Sequence, residues 1–503
     1  MILYLRRLGR GGNVFGELLK QKISTRKRIV VDFSSPNIAK QFHIGNLRST
    51  LIGEFFCKLN RIVGNEVIAL NYLGDWGTQM ALLTAHWPNS EAKKQFEEMP
   101  PDAKLADRLL PLMDCYVEAY SLCDKNPLIR KEQAIQLLDK MEDALVSKRM
   151  DDPSLAIWSQ MRKLSVDYLT DFYKRLGINF DVWDAESYYV AEARRLARSF
   201  IDEGRVATTV EGLKVVHDRE VGGYFIVGKS SSNSSLYLTR ELAATIARHD
   251  RFNADSYVYV VDNEQARHFR HLGTFLNLHG RDDISSKIHH VGFGRVVGFS
   301  TRKGVVKLVD SLLEEGVDAA EKYIKQSATI KVTDEELPEV CKELSEAGLV
   351  LSDLQRHRNT NYTFGFEKIF KKHTRMFYLH EKYARLCSLI DNNADLLQEL
   401  DKRLQTDMSN LSLETDPTAR VLFQCLYELD GSLYTAFTTT ESSPLINYLI
   451  RLCDCLGPAV SELRLKNEPN RQVALNRLLL FVAAKNVMTE GFQLLGMRPL
   501  SRI

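Results

Sequence analysis

In the stretch NIAKQFHIGNLRST, Asn37 to Thr50, His43 and Asn46 stand three residues apart with Gly45 between them. Both side chains can donate hydrogen bonds to phosphate or ribose oxygens, and the glycine lets a ligand approach the backbone closely. A β-rich segment ends near Phe33, a loop with Pro36 follows, and from Gly45 onward Leu47, Leu51, Phe55, Leu59 and Ile62 recur at helical spacing. The loop therefore hands His43 and Asn46 to a helix N-terminus beside the carboxyl end of a strand. Free backbone N–H groups and the positive pole of the helix dipole favour phosphate there. Histidine and asparagine also begin helices for capping reasons. On spacing alone, a nucleotide site and an ordinary helix start both stay open.

Such a loop needs a sheet and a sizeable core behind it. The 503 residues predict two to four domains, with enough interior to bury their apolar side chains without staples. Hydrophobic content of 44% and charged content of 26% match ordinary globular proteins. No continuous apolar run reaches the roughly 18 residues that span a bilayer, so no membrane association is expected. The eight cysteines are scattered, without a CxxC pair or a His/Cys spacing suited to zinc, and read as reduced core thiols. A formal net charge of +2 means that any nucleic-acid partner is met by local basic patches, not by the field of the whole chain. One such patch opens the sequence, where Arg6, Arg7, Arg10, Lys20, Lys22, Arg26, Lys27 and Arg28 face the single acid Glu17. Residues 1–27 read either as a mitochondrial transit-like segment or as a solvated, RNA-facing arm.

Strand-like runs recur in RIVVDFS (28–34), NEVIALNYLG (65–74), DSYVYVVD (255–262) and KIHHVGFGRVVGF (287–299), with helix-like stretches between several of them. That alternation predicts a mostly parallel α/β sheet. A helical stretch and then a β-rich piece with Gly and Ser turn signals interrupt it, and because strands resume afterwards both read as insertions over about 85–235. Beyond Asp310 almost everything is helical by period, which predicts an all-helical C-terminal domain.

At this point the sequence resembles the class I aminoacyl-tRNA synthetases, and specifically arginyl-tRNA synthetases of the mitochondrial or eukaryotic type. The resemblance runs from VVDFSSPNIAKQFHIGNLRSTLIG through NYLGDWGTQM, YLTRELA, YVVDNEQARHF and HHVGFGRVVGFSTRKGVVKLVDSLLEE to FYLHEKYARLCSLI and LLGMRPLSRI, nearly the whole chain from Arg28 on. It implies a Rossmann-like α/β catalytic domain over 28–309 carrying the insertions, a helical connector over 310–360 and an all-α anticodon-binding domain over 361–503. The implied reaction is ATP-dependent ligation of L-arginine to tRNA(Arg) through an arginyl-adenylate, with Mg2+ accompanying ATP. The implied setting is a monomer in the mitochondrial matrix, the cytoplasm being the alternative.

The resemblance also implies roles. The family's HIGH tetrapeptide, which binds ATP, has its counterpart in His43, Ile44, Gly45 and Asn46. The KMSKS loop corresponds to FSTRKG, placing Ser300, Thr301, Arg302 and Lys303 over the triphosphate. Members whose second signature lacks its final lysine tend to carry one before the first signature, where Lys40 stands. Lys40, His43, Asn46, Arg302 and Lys303 are thus the catalytic candidates, since cations and N–H donors stabilise charge in an in-line phosphoryl transition state. Ser35, Pro36 and Asn37 are expected to hold the substrate amino group and side chain. Tyr237, Glu241 and Gln265 read the guanidinium, with Asp32 and Asn46 near, because a planar five-donor cation asks for a fork of acceptors. Tyr237 and Glu241 are four apart, hence on one face if their segment is helical.

Three departures from the family pattern stand out. Asn46 replaces the second signature histidine; Glu241 stands where aspartate is usual; and the chain begins about 28 residues before its first strand, where family members carry a domain that contacts the tRNA elbow. Either a partner tRNA reduced in its elbow region, or recognition mainly through the anticodon arm and acceptor end, is therefore expected. Tyr362, Phe364, Phe377, Tyr378 and Tyr383 are aromatics available for unpaired anticodon bases, although core packing is the simpler use for most of them. Two other readings compete: a small-molecule nucleotidylyltransferase, which has no need of a helical C-terminal third, and a synthetase-like protein that binds RNA with little or no catalysis.

Overall fold

The computed structural model describes residues 2–23, 26–125, 127–219, 222–297, 309–326, 332–364, 374–405 and 416–503. Strands β1 (Arg28–Asp32), β2 (Glu66–Leu73), β3 (Val182–Ala185), β7 (Ser256–Asp262) and β8 (Ile288–Phe293) form one sheet in the order β3-β2-β1-β7-β8, every neighbouring pair parallel. β1 is central, with Val31 in register with Ala69 on one side and Val258 on the other. Helices cover both faces, so Ile29, Val30 and Val31 are all buried, which is why this strand reads as a continuous apolar run. The chain leaves β1 for β2 on one side and later returns to β7 on the other. That reversal opens a crevice at the carboxyl end of β1.

The helical and β-rich insertions expected over about 85–235 are separated by a strand of the main sheet. Five helices, α4 to α8, occupy 78–175; a small antiparallel sheet of β4 (Ala207–Thr208), β5 (Leu213–His217) and β6 (Tyr224–Lys229) follows later. Between them β3 extends the parallel sheet beside β2. Its four residues, VWDA, are too few to show a period. The run KIHHVGFGRVVGF also divides, into β8 and a short β9 (Val296–Val297) that pairs with β10 (Tyr362–Thr363).

The C-terminal part is mostly helical: among the described residues it holds α13 (Val309–Gln326) and α14 (Leu337–Leu354), then six helices, α15 to α20, over 375–495. At its centre α20 (Arg471–Leu495) is, among the described residues, the one helix long and apolar enough to cross a membrane, but 72% of its apolar window is buried inside the bundle. Arg48 ties this part to the sheet domain. Fully buried, it donates to the carbonyls of Gly294 (2.6 Å) and Thr360 (2.7 Å).

The N-terminal stretch is not the arm that its charge suggested. Helices α1 (Ile2–Arg10) and α2 (Val14–Lys20) pack against the C-terminal bundle, burying Leu5, Leu8, Phe15, Leu18 and Leu19. Glu490 of α20 caps α2, accepting from the N–H groups of Val14 (2.9 Å) and Phe15 (2.8 Å). The arginines are spent locally: Arg6 and Arg10 donate to the Leu404 carbonyl, and Arg7 pairs with Glu17. An amphipathic basic segment can be a packed helix as well as a free one, and its partner lies too far along the chain for spacing to reveal.

Candidate active site

A cleft of about 1240 Å³ lies at the carboxyl ends of β1 and β7. The loop after β1 is held in an unusual backbone shape, with Ser34, Ser35 and Ala39 all at positive φ. Such strain persists only where the surroundings over-determine it, and here they do. The Ser34 N–H donates to the Ser49 hydroxyl at 2.9 Å, and its own hydroxyl accepts from Thr50 at 2.7 Å and shares a hydrogen bond with the Tyr173 hydroxyl at 2.6 Å. The Ser35 hydroxyl donates to Asp32 at 2.6 Å and accepts from the N–H of Tyr72 at 3.0 Å. Asn37 lies against Gly74, where a Cβ would stand 2.0 Å from the Asn37 Oδ1, so any larger residue would displace that side chain.

The loop ends at α3 (Ile44–Ile62), whose N-cap is His43. Its Nδ1 accepts from the N–H of Gly45 at 3.1 Å. Burial, and then the charge of Lys40, push the imidazole down to about 4, so the ring is neutral at pH 7 and its proton resides on Nε2. The two readings of this motif are therefore compatible: one ring nitrogen caps the helix and the other is a donor in a residue that lines the cleft. The free N–H groups expected at this terminus are partly used, however. His43 takes that of Gly45, and the His43 carbonyl takes that of Asn46 at 2.9 Å. What the terminus offers is the helix dipole and two side-chain donors, His43 and Asn46.

The opposite end is acidic. α10 (Tyr237–Phe252) places Tyr237 and Glu241 one turn apart, both on the cleft. Glu241 is buried; its carboxyl is pushed up to about 8 by burial, which outweighs the pull of Arg248. Its Oε1 has no hydrogen-bond partner, and Arg248 comes only to 3.6 Å. The hydroxyl of Tyr72, also on the cleft, is likewise unpaired. Beneath them Arg248, fully buried over the Tyr72 ring at 4.4 Å, bonds Asp32 and Asp184, each at 3.0 Å. Beside them Arg240 binds Glu186 at 2.8 Å. Four carboxylates thus face two internal guanidiniums, and Glu241 is left over.

Asp32, Ser35, Asn37, His43, Gly45, Asn46, Tyr237, Glu241 and Gln265 all line this one cleft. Pro36 does not; it is buried, and its carbonyl accepts from the N–H of Gly74. Lys40 also stands off the cleft lining, its ammonium 4.8 Å from the centre of the Tyr116 ring. Ser300, Thr301, Arg302 and Lys303 lie outside the described residues. Tyr72, Glu186, Arg240 and Arg248 were missed by sequence reasoning; the signal within reach was charge in strand-end and helix positions that would otherwise be apolar. Among the described residues no group of three or more His, Cys, Asp or Glu side chains is arranged to hold a metal ion.

A parallel sheet with a reversal at β1, a histidine-capped helix after it and a helical C-terminal domain define a class I aminoacyl-tRNA synthetase. Residues 14–366 match the family described as tRNA synthetases class I (R), catalytic domain, and residues 379–503 match the DALR anticodon binding domain. The chain belongs to the class I arginyl-tRNA synthetases. It is 32% identical over 485 residues to a Mus musculus protein named as a probable mitochondrial arginine–tRNA ligase, covering 95% of this chain and 79% of that one. It is 30% identical over 494 residues to the cytoplasmic arginine–tRNA ligase of Saccharomyces cerevisiae, covering 96% and 77%. Among solved structures, the arginyl-tRNA synthetase of Thermus thermophilus superposes with a TM-score of 0.71 at 16% identity, covering 97% of this chain and 86% of that one. That of Plasmodium falciparum superposes with a TM-score of 0.69 at 22% identity, covering 95% and 78%. Both share the fold.

Proposed function

We propose that this arginyl-tRNA synthetase serves mitochondrial translation, and that the cleft binds ATP at the α3 end and L-arginine at the Glu241 end. One observation carries the assignment of ends: Glu241 is a buried carboxyl whose Oε1 makes no hydrogen bond and meets Arg248 only at 3.6 Å, next to two unpaired or exposed tyrosines, in a pocket whose other carboxylates are bonded to guanidiniums at 2.8–3.0 Å. A substrate guanidinium supplies the missing cation, and its several donors suit Glu241, Tyr72 and Tyr237 together. The extra methylene of Glu241 brings its carboxyl towards Arg248, which fixes one oxygen's surroundings and leaves the ligand to complete the set.

With arginine held there, its carboxylate oxygen attacks the α-phosphorus of ATP; the bond to the β-phosphate oxygen breaks and pyrophosphate departs. The terminal tRNA ribose hydroxyl then attacks the adenylate carbonyl, AMP leaves, and the hydroxyl proton passes to the departing phosphate. His43 acts as a neutral donor to developing phosphate charge, with Asn46 beside it. Lys40 acts at a distance, by its field on His43. Ser300, Thr301, Arg302 and Lys303 are assigned to the triphosphate by resemblance alone. Among the described residues no group of three or more His, Cys, Asp or Glu side chains could hold a metal ion by itself; magnesium is assigned to the triphosphate, and no step runs through it. The protein is proposed to act as a monomer in the matrix.

The test is acid-precipitable labelled arginine after incubation with ATP, magnesium and separately prepared mitochondrial or cytosolic RNA. Charging of the mitochondrial pool is expected. Charging of the cytosolic pool alone would overturn the compartment, and charging of neither would overturn the reaction.

A further inference from the structure

Between β6 and α10 the chain runs through SSSNSSL (230–236), a serine-rich stretch with little apolar surface of its own to hold it. The helical insertion ties it down. On α7 (Pro127–Val146) Asp139 accepts from the Ser232 hydroxyl at 2.8 Å, and three residues on, the fully buried Glu142 grips Ser235. Its Oε2 accepts from the Ser235 N–H at 2.8 Å; its Oε1 accepts from the Ser235 hydroxyl at 2.7 Å and from the Trp76 indole N–H at 3.0 Å. Arg194 also stands 3.6 Å from Oε2, but it donates to Asp143 and to the Asn233 carbonyl.

Glu142 lies behind the cleft, whereas Trp76, Arg240 and Glu241 line it. What links the carboxylate to them is Ser235. With its proton directed to Glu142, the Ser235 hydroxyl is left as an acceptor, and it accepts from Arg240 Nη1 at 3.0 Å. The Ser235 carbonyl accepts from the same nitrogen at 2.8 Å. Nε and Nη2 of Arg240 go to Glu186, at 2.9 and 2.8 Å. All three guanidinium nitrogens thus have partners other than Glu241, the next residue along α10, whose Oε1 makes no hydrogen bond.

We propose that Glu142 is a positioning residue for arginine recognition: by fixing the Ser235 hydroxyl it commits Arg240 to Glu186 and keeps the Glu241 carboxyl open to the substrate guanidinium. The proposal rests on the arginine end assigned above. A guanidinium on a flexible stem, lying on the same cleft as an unbonded carboxyl, is otherwise a competitor that the substrate has to displace. Burying a carboxylate is unfavourable unless donors surround it. Here the donors come from the two segments that border the arginine end, Trp76 after β2 and Ser235 before α10, and the carboxylate reaches them from a helix 93 positions from Ser235. Its contacts therefore set the direction of groups at the site as well as holding the insertion in place.

Steady-state arginylation, with citrulline as a neutral isosteric competitor of arginine, tests this. Glu142→Gln must turn an amide N–H towards one of the three donors, which breaks the grip on Ser235. Ser235→Ala removes the linking hydroxyl with little change of volume, and decides the matter if the first variant folds poorly. Each should raise the KM for arginine about tenfold, while kcat and the KM for ATP stay within about twofold. The double variant should be no worse than the Glu142 variant, because both act through one contact. The Ki of citrulline should stay within about twofold, since a neutral ligand loses no ion pair when Arg240 reaches Glu241. An unchanged arginine KM in Ser235→Ala, additive effects in the double variant, or equal weakening of arginine, ATP and citrulline would overturn the positioning role. Glu241→Gln separates the two failures: if it too leaves the arginine KM unchanged, the assignment of ends fails, and if it alone raises that KM, only the role of Glu142 does.

Discussion

At one end the cleft offers an arriving ligand a helix terminus and two neutral donors; at the other it offers carboxylates kept apart by the protein's own guanidiniums. The first arrangement costs little when empty, because a neutral His43 satisfies one nitrogen within the helix cap and needs no counter-ion. The second stores a cost. The Oε1 of Glu241 is buried without a hydrogen bond, Arg248 standing 3.6 Å away, and leaving a buried polar group unsatisfied costs about 1–3 kcal/mol. On the proposed assignment of ends, phosphate recognition is assembled largely from local backbone geometry, whereas discrimination between a cationic and a neutral amino acid falls where absence of the cation leaves a carboxyl oxygen without a hydrogen bond.

The sharpest way to break this contrast is at Arg248. Arg248→Met strips the internal cation from Asp32 and Asp184, and breaking a buried pair from one side costs about 3–5 kcal/mol. The urea unfolding midpoint should fall accordingly, with arginine binding lost. An unshifted midpoint would show that the acidic end stands without its guanidinium. At the other end His43→Ala removes a donor and a cap without leaving a charge behind. Stability should drop by about 1 kcal/mol, while adenylate formation falls by roughly two to three orders of magnitude. Near-normal turnover in that variant would refute the role assigned to His43.

Next in size is Glu241→Gln, where the KM for arginine should rise about 10- to 100-fold, as expected for loss of a charge-assisted hydrogen bond. This site also carries a pH signature. With its carboxyl at about 8 in the empty cleft, Glu241 is mostly protonated at pH 7, and a guanidinium prefers the ionised form. The KM for arginine should therefore improve by nearly tenfold per pH unit up to about pH 8 and then level off, and the glutamine variant should lose that slope. Stability moves the opposite way: the raised pKa favours the fold below the ordinary carboxylate range and that gain is lost as pH climbs towards 8.

What could be read from sequence follows the same division. His43, Gly45 and Asn46 form a local motif, legible because strand end, loop and helix start are consecutive; Tyr237 and Glu241 are legible because four residues make one helical turn. The internal guanidiniums are different. Arg248 meets Asp32 across 216 positions and Arg240 meets Glu186 across 54, so no spacing announces them. The same distance hid the docking of α1 and α2, whose cap Glu490 is 476 positions from Val14. β3 was lost for want of length. Lys40 shows the reverse limit: a position carried over from resemblance held a lysine, but where its ammonium points depends on Tyr116 in the insertion. Of the aromatics considered for the anticodon, Tyr362, Phe364, Phe377 and Tyr383 are buried; for Phe377 and Tyr383, in the helix Arg375–Asp391, the apolar period that revealed the helix also put the rings inside.

The smallest effect should come from Asn46→His, which restores the histidine usual in the family. Asn46 lies in the first turn of α3, its N–H already bonded to the His43 carbonyl and its side chain on the cleft. Either side chain presents a donor to the same region, and the dipole behind it is unchanged. A second imidazole next to the partly buried His43 and Lys40 would itself be held neutral by desolvation and by that cation, so the substitution adds little charge to the phosphate end. Arginine-dependent exchange of pyrophosphate into ATP, measured with tRNA present, should change by less than about threefold, with the KM for arginine unaltered. A gain of tenfold or more would mean that the second imidazole works as a cation and that this end, too, recognises its ligand by charge.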